Sequence, residues 1–461
     1  MKRGMLSVLL VAALLVASFS IATAAPTNKM IGINVLLNTD ITDAILADLG
    51  THGKVRDVMY EIDAVTLQAP ASELAVIQAL SYVASANPDA ERKGAPVDTV
   101  SVTDFTNGFN TWDLDAVNVT DFGVGRTIGY DGTGVYVAVL DTGLLDSWRQ
   151  YFPQERIAVQ FAKSFGGGGG EVGNVSEQPN KWEHDQHSHG THVTSTILGY
   201  SLRGTPINGV APMATVIPVK VLNQNGSGWS SVVARGIVYV TDLKVSGALG
   251  NAPLVINMSL GGPVQEPVEK AAVDYAVANG VIVVAAAGNE GAAGMGFPGA
   301  YAPVISAAAS GWIGEWAPLG NRNWWNNRNV PDPTDAADFY ITDFSSRELA
   351  GQDLDVAAPG SWVVGPFQLQ SGKTSYFFLG GTSMASPHVA GIAALMAQKN
   401  PTLTGPQVEA ILTNPAVAIA LPAGCRTVLT PFSSTPETFC WGADATGAGL
   451  ATADAALAAT P

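Results

Sequence analysis

"VYVAVLDTG", residues 135–143, is an unbroken apolar run of strand length that ends on an aspartate and a glycine turn. A strand that is apolar on both faces must be covered on both, which points to a parallel sheet between helices. "ATVIPVKVL" (214–222), "PLVINMSL" (253–260) and "GVIVVAAAGN" (280–289) have the same character. Helices are expected between them, near residues 190–199, 229–246 and 265–279. From about residue 98 onward the chain therefore reads as an α/β unit with a parallel sheet and helices on both faces. Side chains at the carboxyl ends of such strands line the binding crevice, so Asp141 stands where chemistry is expected.

Residues 27–97 read differently. "MIGINVLL" (30–37) is a strand, "DAILADLG" (43–50) a helix closing on Gly50, "VMYEIDAVTLQA" (58–69) strand material, and "ASELAVIQALSYVAS" (71–85) a second amphipathic helix. This is a small α+β unit of split βαβ, ferredoxin-like type. It ends in "NPDAERKGAPVD" (87–98), whose prolines, glycine and charges predict an exposed linker open to proteases.

The chain has 461 residues, 47% of them hydrophobic, which suits a large core and excludes disorder. A net charge of -16 without any basic run argues against nucleic acid and anionic membranes as partners. The start combines Lys2 and Arg3, an apolar stretch from Leu6 to about Ala17, and Ala22-Thr23-Ala24. This predicts a signal peptide over residues 1–24, cut after Ala24, and a secreted, extracellular product; a permanent anchor helix would need a longer stretch. Cys425 and Cys440 are the only cysteines, and in an oxidising compartment they read as one disulfide, with two buried thiols as the alternative. Residues 165–186 and 314–339, the latter with Trp316, Trp324 and Trp325, read as long surface loops. The five-glycine run at 166–170 has no feeding strand and no following Gly-Lys-Ser/Thr, so it is not a phosphate cradle.

"FLGGTSMASPHVAG" (378–391) sets Ser383 just after a glycine pair, ahead of an apolar helix that runs to Lys399. Serine is a weak nucleophile and needs a histidine to take its proton. His388 is five residues on, so on a helix the two side chains point about 140° apart and His388 is a poor base. His52 lies in the small unit. The other four, His184, His187, His189 and His192, crowd into "EHDQHSHGTHV" (183–193), where Gly190 and the run after it place a helix start near His189. Asp141, His189 and Ser383 can thus converge at one end of one sheet. His192 reads as a packed helix residue, and His184, Asp185 and His187 as solvated loop residues. Ser259 in "NMSLGG" follows a strand and is no nucleophile. A zinc-protease helix is not indicated, because His189 and His192 are spaced i, i+3 with no glutamate between them.

"VAVLDTG", "HGTHV" and "GTSMASPHVAG" follow the Asp, His, Ser order of the subtilisin-like serine peptidases, which the chain resembles over about residues 98–461. "AAAGNEG" (285–291) is similar to their oxyanion strand. The resemblance implies a subtilisin-like fold and a secreted serine endopeptidase. Asp141 would orient His189, His189 would act as base for Ser383, and Asn289 with the Ser383 N–H would stabilise the oxyanion. Ser259, Leu260 and Gly261 would pair with substrate backbone, with Gly226 and Gly228 of "NGSGW" as the opposite wall. Ala286, Gly288 and Gly296 would form the S1 pocket with Glu290 at its rim, for broad cleavage after bulky apolar residues. Asn289, where convertases carry aspartate, speaks against strict dibasic specificity.

Residues 27–97 are similar to the propeptides that fold and inhibit such enzymes, which implies a self-made first cut near Val100. Protein or peptide substrates and the chain's own propeptide are the implied partners, and a monomer is expected. No cofactor is needed for the chemistry. Structural calcium is left open without assigned ligands: "GYSLRGTPINGVAP" (199–212) lacks the family's asparagine-rich loop, Gln150 stands near an expected ligand aspartate, and carbonyls from Gly299 to Val304 offer a weaker place. The competing readings are a non-catalytic binding protein on this fold and a metal-dependent hydrolase using the His184–His192 cluster.

Overall fold

The four apolar runs lie side by side in one sheet. In the computed structural model, which describes residues 29–102, 111–121, 125–166, 180–316, 330, 333–368, 375–431 and 435–461, the strand order is Lys163–Ser164, Thr215–Lys220, Tyr136–Asp141, Leu254–Met258, Ile282–Ala286, Ile305–Trp312 and Phe339–Ile341, with Val356–Pro359 also paired to Ile305–Trp312. All pairs are parallel except the one made by Phe339–Ile341. The expected signal peptide over residues 1–24, most of the glycine run, Trp324 and Trp325 lie outside the described residues.

The period of two that makes a strand also sorts its side chains between two cores. Val137, Val139, Val255 and Val284 pack with the helix His189–Leu198 and the helix Thr382–Lys399. Ala138, Leu140, Ile256, Val283 and Ala285 point the other way, onto Ser230–Val245 and Pro267–Ala278. Coverage on both faces is why these strands are apolar throughout.

The Thr382–Lys399 helix is buried continuously from Thr382 to Ala397. Pro387 is its sixth residue, beyond the first turn where proline is harmless. Its missing N–H would have served the Ser383 carbonyl four residues back. The Ser259 hydroxyl donates to that carbonyl instead, at 2.8 Å.

The small unit is a four-stranded antiparallel sheet in the order β2-β3-β1-β4, formed by β1 (Met30–Leu37), β2 (Lys54–Met59), β3 (Ala64–Pro70) and β4 (Val83–Pro88). Two helices, α1 (Asp43–His52) and α2 (Glu73–Gln78), connect its split βαβ halves. Two expectations are corrected. The second helix stops at Gln78, and Val83 opens β4, because Val83 and Ala86 are needed in the core of this sheet. Gly50 sits inside α1, which continues to His52.

Residues 87–98, expected as an exposed linker, are instead held against the large unit, with some side chains buried and others open to solvent. Asp89 and Arg92 are buried, and Glu91–Lys93 pairs antiparallel with Ser227–Trp229. The charges that suggested solvent have found protein partners instead. Asp89 accepts from the Ser230 hydroxyl at 2.8 Å and the Ser231 N–H at 3.0 Å, at the start of the Ser230–Val245 helix. The chain then runs on as Asp98–Val102, antiparallel to Tyr376–Gly380.

Cys425 and Cys440 form the disulfide, S–S 2.07 Å, directly opposite each other in a hairpin. Trp316, at the start of the tryptophan-rich stretch, packs on Trp362 and Phe378 and so caps the core. Among the described residues no helix is long and apolar enough to cross a membrane.

Candidate active site

Asp141 ends its strand and His189 begins its helix, and both are buried. Nδ1 of His189 lies 2.8 and 3.0 Å from the two carboxylate oxygens of Asp141. A carboxylate only accepts, so Nδ1 carries the hydrogen and Nε2 keeps its lone pair. That Nε2 is buried without a hydrogen-bond partner. The close approach depends on Gly190: a Cβ there would come within 2.4 Å of the Gly143 carbonyl, in the turn just after Asp141.

Ser383 is the second residue of its helix and only 3% exposed. Its hydroxyl donates to the Ser259 carbonyl at 3.1 Å rather than to His189. A rotation about one side-chain bond would re-aim it, and such bonds commonly tighten only with substrate in place. Asn289 is oriented by its own oxygen, which accepts from the Thr382 N–H and hydroxyl at 2.9 Å each. Its Nδ2 donor is left for another acceptor. No local pattern singles out Thr382 for this task, since its effect runs through Asn289.

The walls expected from Gly226, Gly228 and Gly261 enclose a strand of the chain itself. Lys93 and Gly261 exchange both backbone hydrogen bonds at 2.9 Å, and the Gly94 N–H donates to the Gly226 carbonyl at 2.8 Å. Further along, the Val97 N–H donates to the Gly380 carbonyl at 2.7 Å. Between these anchors Ala95 borders a cavity of about 600 Å³, also lined by Leu260, Ala286, Gly288, Asn289 and Ser383. Gly296 stands behind the wall: a Cβ there would meet the Gly262 nitrogen at 3.3 Å. Glu290 reaches the cavity, but its carboxylate already accepts from the Asn289 N–H at 2.7 Å and the Ser346 hydroxyl at 3.2 Å.

The remaining histidines do not gather into a metal site. His192 is fully buried with Nε2 on the Val363 carbonyl at 3.1 Å, and burial pushes its pKa down to about 3. His388 sits between the Met384 carbonyl at 2.8 Å and Asp113 at 3.0 Å, deep in the core. His184 is exposed. His187 is half-buried, and burial lowers its pKa to about 4. Asp185 departs from the expected solvated loop: it is buried, accepts from the N–H groups of His187 and Ser188 at 3.0 and 2.8 Å, and shapes the approach to His189. Burial raises its pKa to about 6.

Among the described residues, Asp353, Asp355 and Glu409 can bring one carboxylate oxygen each within 4.8 Å of one another. These are the hard donors that calcium takes. Asp355 immediately precedes the Val356–Pro359 strand, so the group lies at the amino ends of the sheet, opposite Asp141. Burial raises the Asp355 pKa to about 8.

Residues 132–446 match the subtilase family of peptidases. The chain is 36% identical over 292 residues to subtilisin DY of Bacillus licheniformis, covering 62% of this chain and 85% of that one. To subtilisin E of Bacillus subtilis (strain 168) it is 37% identical over 285 residues, 61% of this chain and 60% of the relative. Among solved structures, fervidolysin from Fervidobacterium pennivorans, a keratinolytic enzyme related to subtilisin, shares the fold with a TM-score of 0.64 at 23% identity, over 94% of this chain and 61% of that one. The S41 psychrophilic protease aligns with a TM-score of 0.53 at 27% identity, over 74% and 97% of the two chains. Fold, ordered motifs and relatives agree: the chain belongs to the subtilase family and is a serine endopeptidase.

Proposed function

We propose that the protein is exported, matures itself, and hydrolyses peptide bonds through Asp141, His189 and Ser383, with Asn289 as oxyanion donor. The observation that carries this reading is the pairing of His189 Nδ1 with Asp141, which leaves Nε2 unpartnered beside a cleft that already holds an extended peptide strand. In the reaction, Ser383 Oγ bonds to the carbonyl carbon while His189 Nε2 takes its proton. Negative charge collects on the former carbonyl oxygen, where the Asn289 amide and the Ser383 N–H can donate. The C–N bond then breaks, and His189 returns the proton to the leaving nitrogen. Water, deprotonated by the same ring, hydrolyses the acyl ester and frees Ser383.

Residues 27–97 act in this reading as propeptide, a folding template and temporary inhibitor, and residues 98–461 as the peptidase unit. The segment from Glu91 to Val97, which opens with the strand Glu91–Lys93, fills the cleft in the manner of a substrate, flanked by Gly226 to Gly228 and by Gly261. In this reading the bond cut is Ala95–Pro96, a few residues before Val100: the pairing of Lys93 with Gly261 and of Gly94 with Gly226 supports it, as does the cavity that Ala95 shares with Ser383. The small Ala95 leaves the neighbouring cavity free, which supports a bulky apolar side chain at that place in other substrates.

The test is Ser383→Ala, expressed in a host lacking related proteases. It should accumulate as a precursor beginning at Ala25 and should not react with a fluorophosphonate, whereas wild type should shorten and label. Normal processing of the purified variant would exclude self-cleavage, and labelling of the variant would exclude Ser383 as nucleophile.

A further inference from the structure

We infer that the peptidase selects arginine at the fourth position before the scissile bond, through a buried acidic subsite built around Glu269. This rests on the proposed function, because it takes the cleft strand as a stand-in for substrate. Arg92 is 0% exposed although its neighbours Glu91 and Lys93 are open to solvent. Its Nε and Nη2 donate to the two carboxylate oxygens of Glu269 at 2.8 and 2.7 Å. Nη2 also donates to the Val264 carbonyl at 3.0 Å, and Nη1 to the Glu91 carbonyl at 3.1 Å. Glu269, equally buried, lies in the first turn of the Pro267–Ala278 helix, beside Glu266 and 3.4 Å from the Tyr301 hydroxyl.

The register that puts Arg92 there is set by backbone bonds that any extended peptide can make, namely the exchange with Gly261 and the pairing with Ser227–Trp229. Counting back from the Ala95–Pro96 bond, Ala95, Gly94, Lys93 and Arg92 occupy the first four positions. The third side chain is exposed and carries no selection. A Cβ at the second would meet Leu222 Cδ1 at 2.7 Å and the Ser259 carbonyl at 2.9 Å, so a small residue is favoured there. The fourth carries the specific contact. A guanidinium matches a carboxylate with two parallel bonds, which an ammonium cannot reproduce. An apolar residue would leave the Glu269 charge buried without a partner.

The experiment uses mature enzyme and quenched peptides of sequence Asp-Ala-Glu-Arg-Lys-Gly-Phe-Ser-Val-Asp, with arginine replaced by alanine or by lysine in two companions. kcat/KM should fall about tenfold or more for both companions, the scale of losing a charge-assisted bidentate contact. In Glu269→Gln the ratio between the arginine and alanine peptides should shrink towards one. Equal kcat/KM for the three peptides with wild-type enzyme would overturn the subsite while leaving the peptidase reading intact. Failure to cleave any peptide, together with no fluorophosphonate labelling, would overturn both. The wild-type comparison decides even where Glu269→Gln does not fold, and a ratio retained in a folded Glu269→Gln would also overturn the proposal.

Discussion

His189 can take a proton only at Nε2 while Asp141 holds the hydrogen on Nδ1. Asp141→Asn would offer an amide whose N–H competes for that ring nitrogen, so the other tautomer would face Ser383. Its kcat should fall by about 10⁴ with the circular dichroism unchanged, the magnitude known for this triad in serine peptidases generally. Near-normal turnover would mean that another acid orients His189. Asn289→Ala should lower kcat by about 10² to 10³, a figure taken from subtilisin and so from a relative. Ser259→Ala belongs to a different class, since it removes the hydroxyl that donates to the carbonyl Pro387 cannot serve. In a Ser383→Ala background it should lower stability by about 1–3 kcal/mol, the scale of a buried acceptor left unmade, as read by urea unfolding. An unchanged midpoint would show that the helix relaxes around Pro387. The places of Asp141, His189 and Ser383 were legible in the sequence because a strand end, a helix start and a glycine turn each mark a position in this fold, while their roles rest on the family resemblance. Asp185 and Thr382 could not, because they act on loop shape and on another side chain.

The cleft strand, Glu91–Lys93, departs furthest from what its local sequence suggests. "NPDAERKGAPVD" looks like a linker because its polarity is counted against water, yet Asp89 and Arg92 find their partners on helices more than a hundred residues away in sequence. Long-range pairing of this kind leaves no local periodicity to read. The same limit explains the second helix: the register with β1 draws Val83 and Ala86 into a sheet, and tertiary packing overrides local propensity. The main-sheet strands were legible because burial on both faces leaves continuous apolar runs. Pro96 makes the cleft segment testable as an element. Its nitrogen carries no hydrogen and is tied into a ring, so the leaving group has little freedom to turn its lone pair towards His189. Pro96→Ala should therefore speed conversion of precursor to mature enzyme, followed on gels, with the new amino terminus at residue 96. An unchanged rate, or an amino terminus elsewhere, would show that the strand shifts register before it is cut.

At the scale of the whole molecule, the buried titratable groups set opposing demands on pH. His192 is forced neutral, with its pKa lowered by burial from an ordinary 6.5 to about 3. Its contribution is present above pH 6.5 and is lost as pH falls towards 3. Glu315 behaves in the opposite sense, since burial raises its pKa from 4.5 to about 8. A carboxyl that resists ionisation in the fold contributes fully below its ordinary pKa, and that stability is lost as pH rises through about 8. Asp355 follows the same rule. Above pH 6.5 the remaining loss of the proton from unfolded His192 can only raise stability with pH, so a fall in stability between pH 6.5 and 8 belongs to the buried acids. Glu315 Oε1 accepts from the hydroxyls of Tyr340 and Ser361 and Oε2 from the Trp312 N–H at 3.3 Å; a glutamine at this site keeps one oxygen for both hydroxyls without a charge to exclude, and loses the Trp312 bond at every pH. The Ser383→Ala precursor, which cannot digest itself, should thus lose Tm between pH 6.5 and 8, and adding Glu315→Gln should lower Tm below pH 4 through the lost Trp312 bond yet flatten part of the loss between pH 6.5 and 8. A slope unaltered by Glu315→Gln would mean that Glu315 ionises within the fold and that the Tyr340 and Ser361 hydroxyls carry its charge.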